Sequence, residues 1–168
     1  MSTKDNTKIY SSKQENMIAN ILGWSVVSGS GAAACYPGDV ISDMWLGECK
    51  THVERGHKIF FDRKVWDKIK NEAYVKHRRP VLFTDDGSQL SKNTWCLCLR
   101  NHVELEESVL SPITKGVNKN ISFSGESQGV IAMNLHRTHD KLPVFTCKWS
   151  DDEVIICELY VFAQVKGE

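Results

Sequence analysis

Net charge is the first thing this 168-residue chain lacks: 21 Lys and Arg are matched by 21 Asp and Glu, and the isoelectric point is near 7.0. That balance excludes a general attraction to nucleic acid or anionic lipid, so any such contact must come from uneven placement of charge. Proline is scarce, at 4 residues, and there is no internal repeat or low-complexity tract. With 41% hydrophobic and 25% charged residues, collagen, a tandem array and a disordered chain are excluded, and one ordinary globular domain over 1–168 is expected. A long apolar run is also missing. The longest uncharged stretch, residues 16–38, is broken by Gly23, Gly29, Gly31, Pro37 and Gly38 and by three serines, so no spanning helix is expected. The 6 cysteines are irregularly spaced, with no Cys-x-x-Cys pair, and residues 1–13 do not read as a secretory leader. Together these features predict an intracellular protein, cytoplasmic or nucleoid-associated, with reduced thiols and no membrane partner. Cys96 and Cys98 read as small hydrophobes on one strand face rather than as zinc ligands.

What is present has a legible order. Ser11 and Ser12 are placed to cap a helix over about 12–22, with Glu15 in its first turn, Met17, Ile18, Ile21 and Leu22 on one face, and Gly23 as its stop. A short strand at 24–28 leads into Gly29-Ser30-Gly31-Ala32-Ala33-Ala34, whose side chains are too small for core and leave the backbone open to approach. Strands are predicted at 39–42 and 44–50. A helix follows from an Asp62 N-cap to about Lys76, with Val65, Trp66, Ile69 and Ala73 as its apolar stripe. Further strands are expected at 80–83 and 95–100. Helix, three strands, helix, strand is the order of an α/β domain whose sheet is covered by helices. Residues 101–127, acidic and then turn-rich, read as a linker or long loop. Strand-like runs at 129–135, 143–148 and 154–165 predict C-terminal β additions to the same sheet.

The chemistry is carried by Pro37-Gly38-Asp39, followed after eight intervening residues by Glu48-Cys49-Lys50. Strand periodicity puts Glu48 and Lys50 on one face and Cys49 on the other, while Asp39 on a neighbouring strand completes a pair of carboxylates. Two carboxylates, a backbone carbonyl such as that of Cys49, and waters suit Mg²⁺, a hard cation that retains much of its water. An ion so held lowers the pKa of an attacking water and offsets charge at phosphorus. Lys50 would orient that water or offset the same charge, and Glu15 and Ser30 are placed to join from the other side.

These residues resemble the PD-(D/E)-x-K nuclease superfamily, and within it the archaeal-type Holliday junction resolvases. The shared order is a first-helix glutamate (Glu15), a Gly-Ser-Gly turn (29–31), an aspartate beside a proline (Pro37 to Asp39, with Gly38 between them) and a Glu-x-Lys strand (Glu48 to Lys50). The likeness covers about residues 11–85. It implies a restriction-endonuclease-like α/β fold, a mixed central sheet flanked by helices, with residues 11–100 as catalytic core and 101–168 as loop and β extension. It implies Mg²⁺, with Mn²⁺ able to substitute, held by Asp39 and Glu48 with support from Glu15. It also implies Lys50 as the assistant to attack and a homodimer acting on branched DNA.

Charge placement agrees with a DNA partner. From Arg55 to Arg79 there are nine Lys and Arg against three Asp and Glu, an excess of six in a neutral chain. Arg55 and Lys58 directly follow the motif strand, and Lys64 and Lys68 lie beside the apolar stripe of the next helix, so these four are the expected phosphate contacts. His52 and His57 read as loop histidines. The apolar runs Val154-Ile155-Ile156 and Leu159-Tyr160-Val161-Phe162 are candidates for the dimer face, with ordinary sheet core as the competing reading. The sequence therefore predicts a Mg²⁺-dependent endodeoxyribonuclease that resolves four-way junctions. Another nuclease of the superfamily, for restriction or repair, and a non-catalytic DNA-binding protein remain the alternatives.

Overall fold

The computed structural model describes residues 3–28, 37–112, 120–123 and 144–167. In chain order the elements are α1 (Thr3–Leu22), β1 (Ser25–Val26), β2 (Val40–Ile41), β3 (Trp45–Lys50), β4 (Ile59–Phe61), α2 (Arg63–Val75), β5 (Arg79–Asp85) and β6 (Thr94–Leu99). They continue with β7 (Leu110–Pro112), β8 (Ile121–Phe123), β9 (Val144–Trp149), β10 (Asp152–Glu158) and α3 (Leu159–Val165).

An eight-stranded mixed sheet runs in the order β1-β2-β3-β5-β6-β10-β9-β7, and β4 pairs with β8 in a separate ladder. β3 and β5 are parallel, joined through α2, while β2–β3, β5–β6, β6–β10 and β9–β10 are antiparallel. Strand alternation divides the apolar side chains between two cores. Val81 and Phe83 of β5, Cys96 and Cys98 of β6, and Ile155 and Cys157 of β10 pack with Ile18, Ala19 and Leu22 of α1 and with Leu159 and Phe162 of α3. Leu82, Trp95, Leu97, Val154 and Ile156 face the other way, onto Trp66, Ile69 and Ala73 of α2 and Ile59 and Phe61 of β4. Helices thus cover both faces, as the element order predicts. Among the described residues, no helix is long and apolar enough to cross a membrane.

Local chemistry sets the limits of α2. Asp62 Oδ1 accepts from the backbone N–H groups of Lys64 (2.7 Å) and Val65 (3.2 Å), so the first turn is capped where the sequence places the cap. At the other end Arg78 N–H donates to Ala73 O and His77 N–H to Tyr74 O, with His77 in the left-handed region at φ 53°. Glycine usually fills that position.

The described cysteines 49, 96, 98, 147 and 157 are all free and buried. Burial pushes every one of these thiols above its usual pKa, Cys147 to about 11. Cys49, Cys96, Cys98 and Cys157 share the α1-side core, so the small-hydrophobe reading describes their packing.

Four expectations need correction. α1 begins at Thr3, which makes Ser11 and Ser12 interior positions rather than caps. No glycine or proline stands between residues 3 and 22, so nothing stops the helix from propagating back once it has nucleated. The predicted strand over 154–165 ends at Glu158, and the remainder is α3. Leu159 and Phe162 are both fully buried at helical spacing against α1-side neighbours, and a short apolar run carries no periodicity that separates helix from strand. The same burial takes Val154, Ile155, Ile156, Leu159, Val161 and Phe162 into the two cores, so they are not available to cover a dimer face. Finally, the loop expected over 101–127 contains β7 and β8, which pair with distant β9 and β4. The predicted strand at 129–135 lies outside the described residues.

Candidate active site

β3 carries the site at its C-terminal end. Trp45 and Cys49 face the α1-side core, so Leu46, Glu48 and Lys50 project on the α2 side. Glu48 and Lys50 therefore meet as the spacing predicts: Lys50 Nζ donates to Glu48 Oε1 at 2.6 Å. Asp39 stands just before β2, its N–H donating to Gly47 O and its Oδ2 accepting from Cys49 N–H at 2.8 Å. The motif aspartate is thus fixed against the motif strand by two bonds, although Gly38 intervenes after Pro37. Gly38 has φ 74°, and a side chain there would run into Leu46, so this turn requires glycine.

α1 reaches the same place from the other face. Gln14, fully buried, donates from Nε2 to Lys50 O at 2.8 Å, which ties the helix to the end of the motif strand. Its neighbour Glu15 is half-buried and feels the others directly. Burial first, then repulsion from Asp39 and Glu48, raise its pKa to about 7 against a partial offset from Lys50. Lys50 shows the complementary effect. Burial opposes its charge, but attraction and a hydrogen bond from Glu48, with Asp39 adding to them, hold its pKa above the usual lysine value.

The expected residues are thereby sorted. Glu15, Asp39, Glu48 and Lys50 are brought together. Cys49 contributes no thiol, since that group is buried in the core, and only its main chain borders the site. Ser30 lies outside the described residues. Arg55 and Lys58 are exposed in the loop 51–58, and Lys64 is exposed on α2. Lys68 is closer to the chemistry than a DNA contact needs to be: its Nζ lies 3.6 Å from Glu48 Oε1 and 3.7 Å from Glu72 Oε1. Two ammonium groups thus share the motif glutamate.

Below the loop is a buried polar network that the sequence reading missed. Asp85, fully buried at the end of β5, accepts from Thr51 Oγ1 (2.6 Å), Gly87 N–H and Gln89 N–H. Gln89 Nε2 in turn donates to Thr51 Oγ1 and His52 O. These bonds hold the chain as it leaves Lys50, and a side chain on Gly87 would collide with Glu54 O. His52 and His57 stack above at 4.2 Å between ring centroids. Asp85-Asp86-Gly87 reads in sequence only as a turn, and Gln14 has no signal beyond its place before Glu15.

Among the described residues, no three or more His, Cys, Asp or Glu side chains form a group arranged to hold a metal ion. The oxygens of Asp39 and Glu48 nevertheless fit Mg²⁺ in kind, because that ion takes one or two carboxylates and completes its shell with water and substrate phosphate. Burial is the largest cause of the raised Glu15 pKa, and the repulsion from Asp39 and Glu48 that adds to it is what a divalent cation would relieve.

A pH experiment reads this raised pKa without any substrate. Glu15 titrates near 4.5 in the unfolded chain and near 7 in the folded one. Between these values the native state holds a proton that the unfolded chain has released, so stability falls as pH rises from about 4.5 to about 7 and is flat above. Glu15→Gln removes this loss. Discounted for the half-exposed position, the variant should be more stable than the wild type by about 1–2 kcal/mol at pH ~8, and no more stable near pH ~4. Denaturant melts at the two pH values measure the difference, and equal offsets at both would refute the coupling.

No family model, curated protein or solved structure matches this chain.

Proposed function

We propose that this chain is a metal-dependent endodeoxyribonuclease of the PD-(D/E)-x-K type that resolves four-way DNA junctions as a homodimer. The observation that carries the reading is the convergence of Asp39, Glu48 and Lys50 at the end of β3 with Glu15 of α1 against them. A structural role alone does not call for two carboxylates, Asp39 and Glu48, close enough to a third, Glu15, to help raise its pKa. In this reading Asp39, Glu48 and the adjoining main chain would hold Mg²⁺. When bound, the ion supplies a polarised water and a positive charge opposite the scissile phosphate.

The protein's own groups do the rest. Lys50 keeps its proton, because Glu48 and Asp39 favour the ammonium form, and donates hydrogen bonds to the attacking water or to a non-bridging phosphate oxygen. Lys68 adds a second positive charge on the same carboxylate, available to phosphate once Glu48 is engaged elsewhere. The Glu15 carboxyl, with a pKa near 7, can hold or release a proton at working pH beside the reacting centre. A junction presents matching scissile phosphates on two strands, so two identical sites about a two-fold axis suffice for both cuts.

The test is incubation of the protein with labelled linear, nicked, flapped and four-way DNA, with and without Mg²⁺. Paired cuts in the junction that appear only with the ion are expected. Equal cutting of linear duplex would move the reading to a general nuclease of the same superfamily, and uncut substrates in both Mg²⁺ and Mn²⁺ would remove it.

A further inference from the structure

α2 passes the site at its middle, where Lys68 Nζ lies 3.6 Å from Glu48 Oε1, and continues about two turns beyond it to Val75. Its most exposed line is Lys64, Lys68, Asn71 and Val75, spaced by three or four residues, and no acid stands on it. The acids of this helix, Asp67 and Glu72, flank that line and bond to Arg63 and Lys68. Past its far end come Lys76, His77 and Arg78. Lys64, Lys76 and Arg78 pair with no carboxylate among the described residues, in a chain with as many acids as bases. Among the described residues, the guanidinium of Arg78 donates only to the main-chain carbonyls of Ser42 and Lys76.

Two further observations set this surface apart from an ordinary solvated helix face. Tyr74 is 83% exposed and Val75 is 72% exposed, the two most exposed large apolar side chains among the described residues, and they sit in the middle of these cations. His77 occupies the left-handed position of the C-terminal turn at φ 53°, where glycine would remove a backbone cost. Both choices run against folding stability and solubility at one place. A cationic line with an exposed aromatic at its end complements a strand of phosphates followed by a base or sugar face.

We infer that the exposed face of α2, from Lys64 through Tyr74, Lys76 and Arg78, is the track along which the DNA duplex flanking the cut phosphate lies. This rests on the nuclease reading and adds a direction to it. From Lys68, beside Glu48, to Lys76 the helix rises about 12 Å. That distance matches about three to four base pairs of duplex, so the contacted arm extends that far past the site toward the C-terminal end of α2, with Lys64 one turn to the other side.

The experiment measures binding separately from cleavage. Fluorescence anisotropy with a labelled linear duplex, in chelator so that nothing is cut, is run over a salt series for the wild type and for Lys64→Ala/Tyr74→Ala/Lys76→Ala. All three side chains are exposed, and circular dichroism confirms that the variant is folded. The variant is expected to bind at least about tenfold more weakly, with the slope of log K against log salt smaller by about 2 for the two lost charges. Wild-type affinity and slope in the variant would overturn the track while leaving the nuclease reading to its own assay. A wild type that binds through these residues yet cuts nothing with Mg²⁺ or Mn²⁺ would keep the track as a DNA-binding surface and remove the nuclease reading. Binding to phosphatidylserine vesicles but not to DNA, with the same dependence on the three residues, would overturn the inference in favour of a membrane surface.

Discussion

Asp39→Asn and Glu48→Gln should each reduce DNA cleavage by about a thousandfold or more, because on the proposed reading the positive charge they would hold lowers the reaction barrier by several kcal/mol. Both replacements preserve shape. An asparagine side-chain oxygen still accepts from Cys49 N–H, and a glutamine oxygen still accepts from Lys50 Nζ, so the bonds that fix the site are retained. DNA affinity in chelator should change little, since the cations expected to contact phosphate, Arg55, Lys58, Lys64 and Lys68, are left in place. Turnover at the wild-type rate in either variant would sink the assignment. The same proteins give a readout independent of activity. Each variant removes one of the charges that repel Glu15, so the Glu15 pKa should fall from about 7, as carboxyl NMR titration would report. A Glu15 that titrates unchanged in both would show that Asp39 and Glu48 do not act on it.

The largest loss of stability is expected at Asp152, the first residue of β10. Its carboxylate accepts from Lys70 Nζ at 2.7 and 2.8 Å, from Trp66 Nε1 at 2.9 Å and from Arg63 Nη2 at 3.4 Å, and its side chain is only 13% exposed. One side chain therefore pins α2 to the β9–β10 hairpin, with Arg63 Nη1 on Trp149 O beside it. Asp152→Ala leaves the Trp66 indole N–H and a partly buried ammonium without their acceptor and should cost about 3 kcal/mol, and Asp152→Asn, which keeps one acceptor, about half of that. Burial works against the charge, but hydrogen bonds from Lys70 and Trp66 and attraction from Lys70 and Arg63 outweigh it and lower the pKa below 3.8. The contribution is thus fully present above about pH 4 and fades as pH falls through the folded-state value. Urea melts of the wild type and Asp152→Ala should converge in acid. A gap that stays constant to the lowest accessible pH would mean that the charge is not the source.

The motif half of the site was legible because it depends on rules of short range. A two-residue period puts Glu48 and Lys50 on one face whatever surrounds them, and Asp62 caps α2 because its oxygen reaches only the next turn. The helix that carries Glu15 was also visible from its apolar face, though its start was not, since residues 3–11 contain neither a breaker nor a decisive cap. What stayed hidden depends on contacts far apart in sequence. Gln14 reaches Lys50 across 36 positions, and Gln89 reaches Thr51 across 38. β4 and β8 are three residues each, too short for a pattern, and exist through each other. Lys68 appeared as one more cation on a basic helix. Only the approach of α2 to β3 shows that it stands over Glu48.

The buried thiols give the molecule a chemical clock. A cysteine reacts with an alkylating reagent as the thiolate, and burial holds Cys49, Cys96, Cys98 and Cys157, clustered between the sheet and α1, almost wholly in the inert form. Three of them lie on β6 and β10, the interior pair of the large sheet, where Cys96 and Cys157 are direct cross-strand neighbours. No local fraying at an edge strand exposes that pair, so a reagent reaches it only when the helices α1 and α3 lift from the sheet or the fold opens. Alkylation at these positions, followed by mass spectrometry in native buffer, would time the uncovering of that face. A bound nucleic acid or ion that stabilises the fold would appear as a slower count.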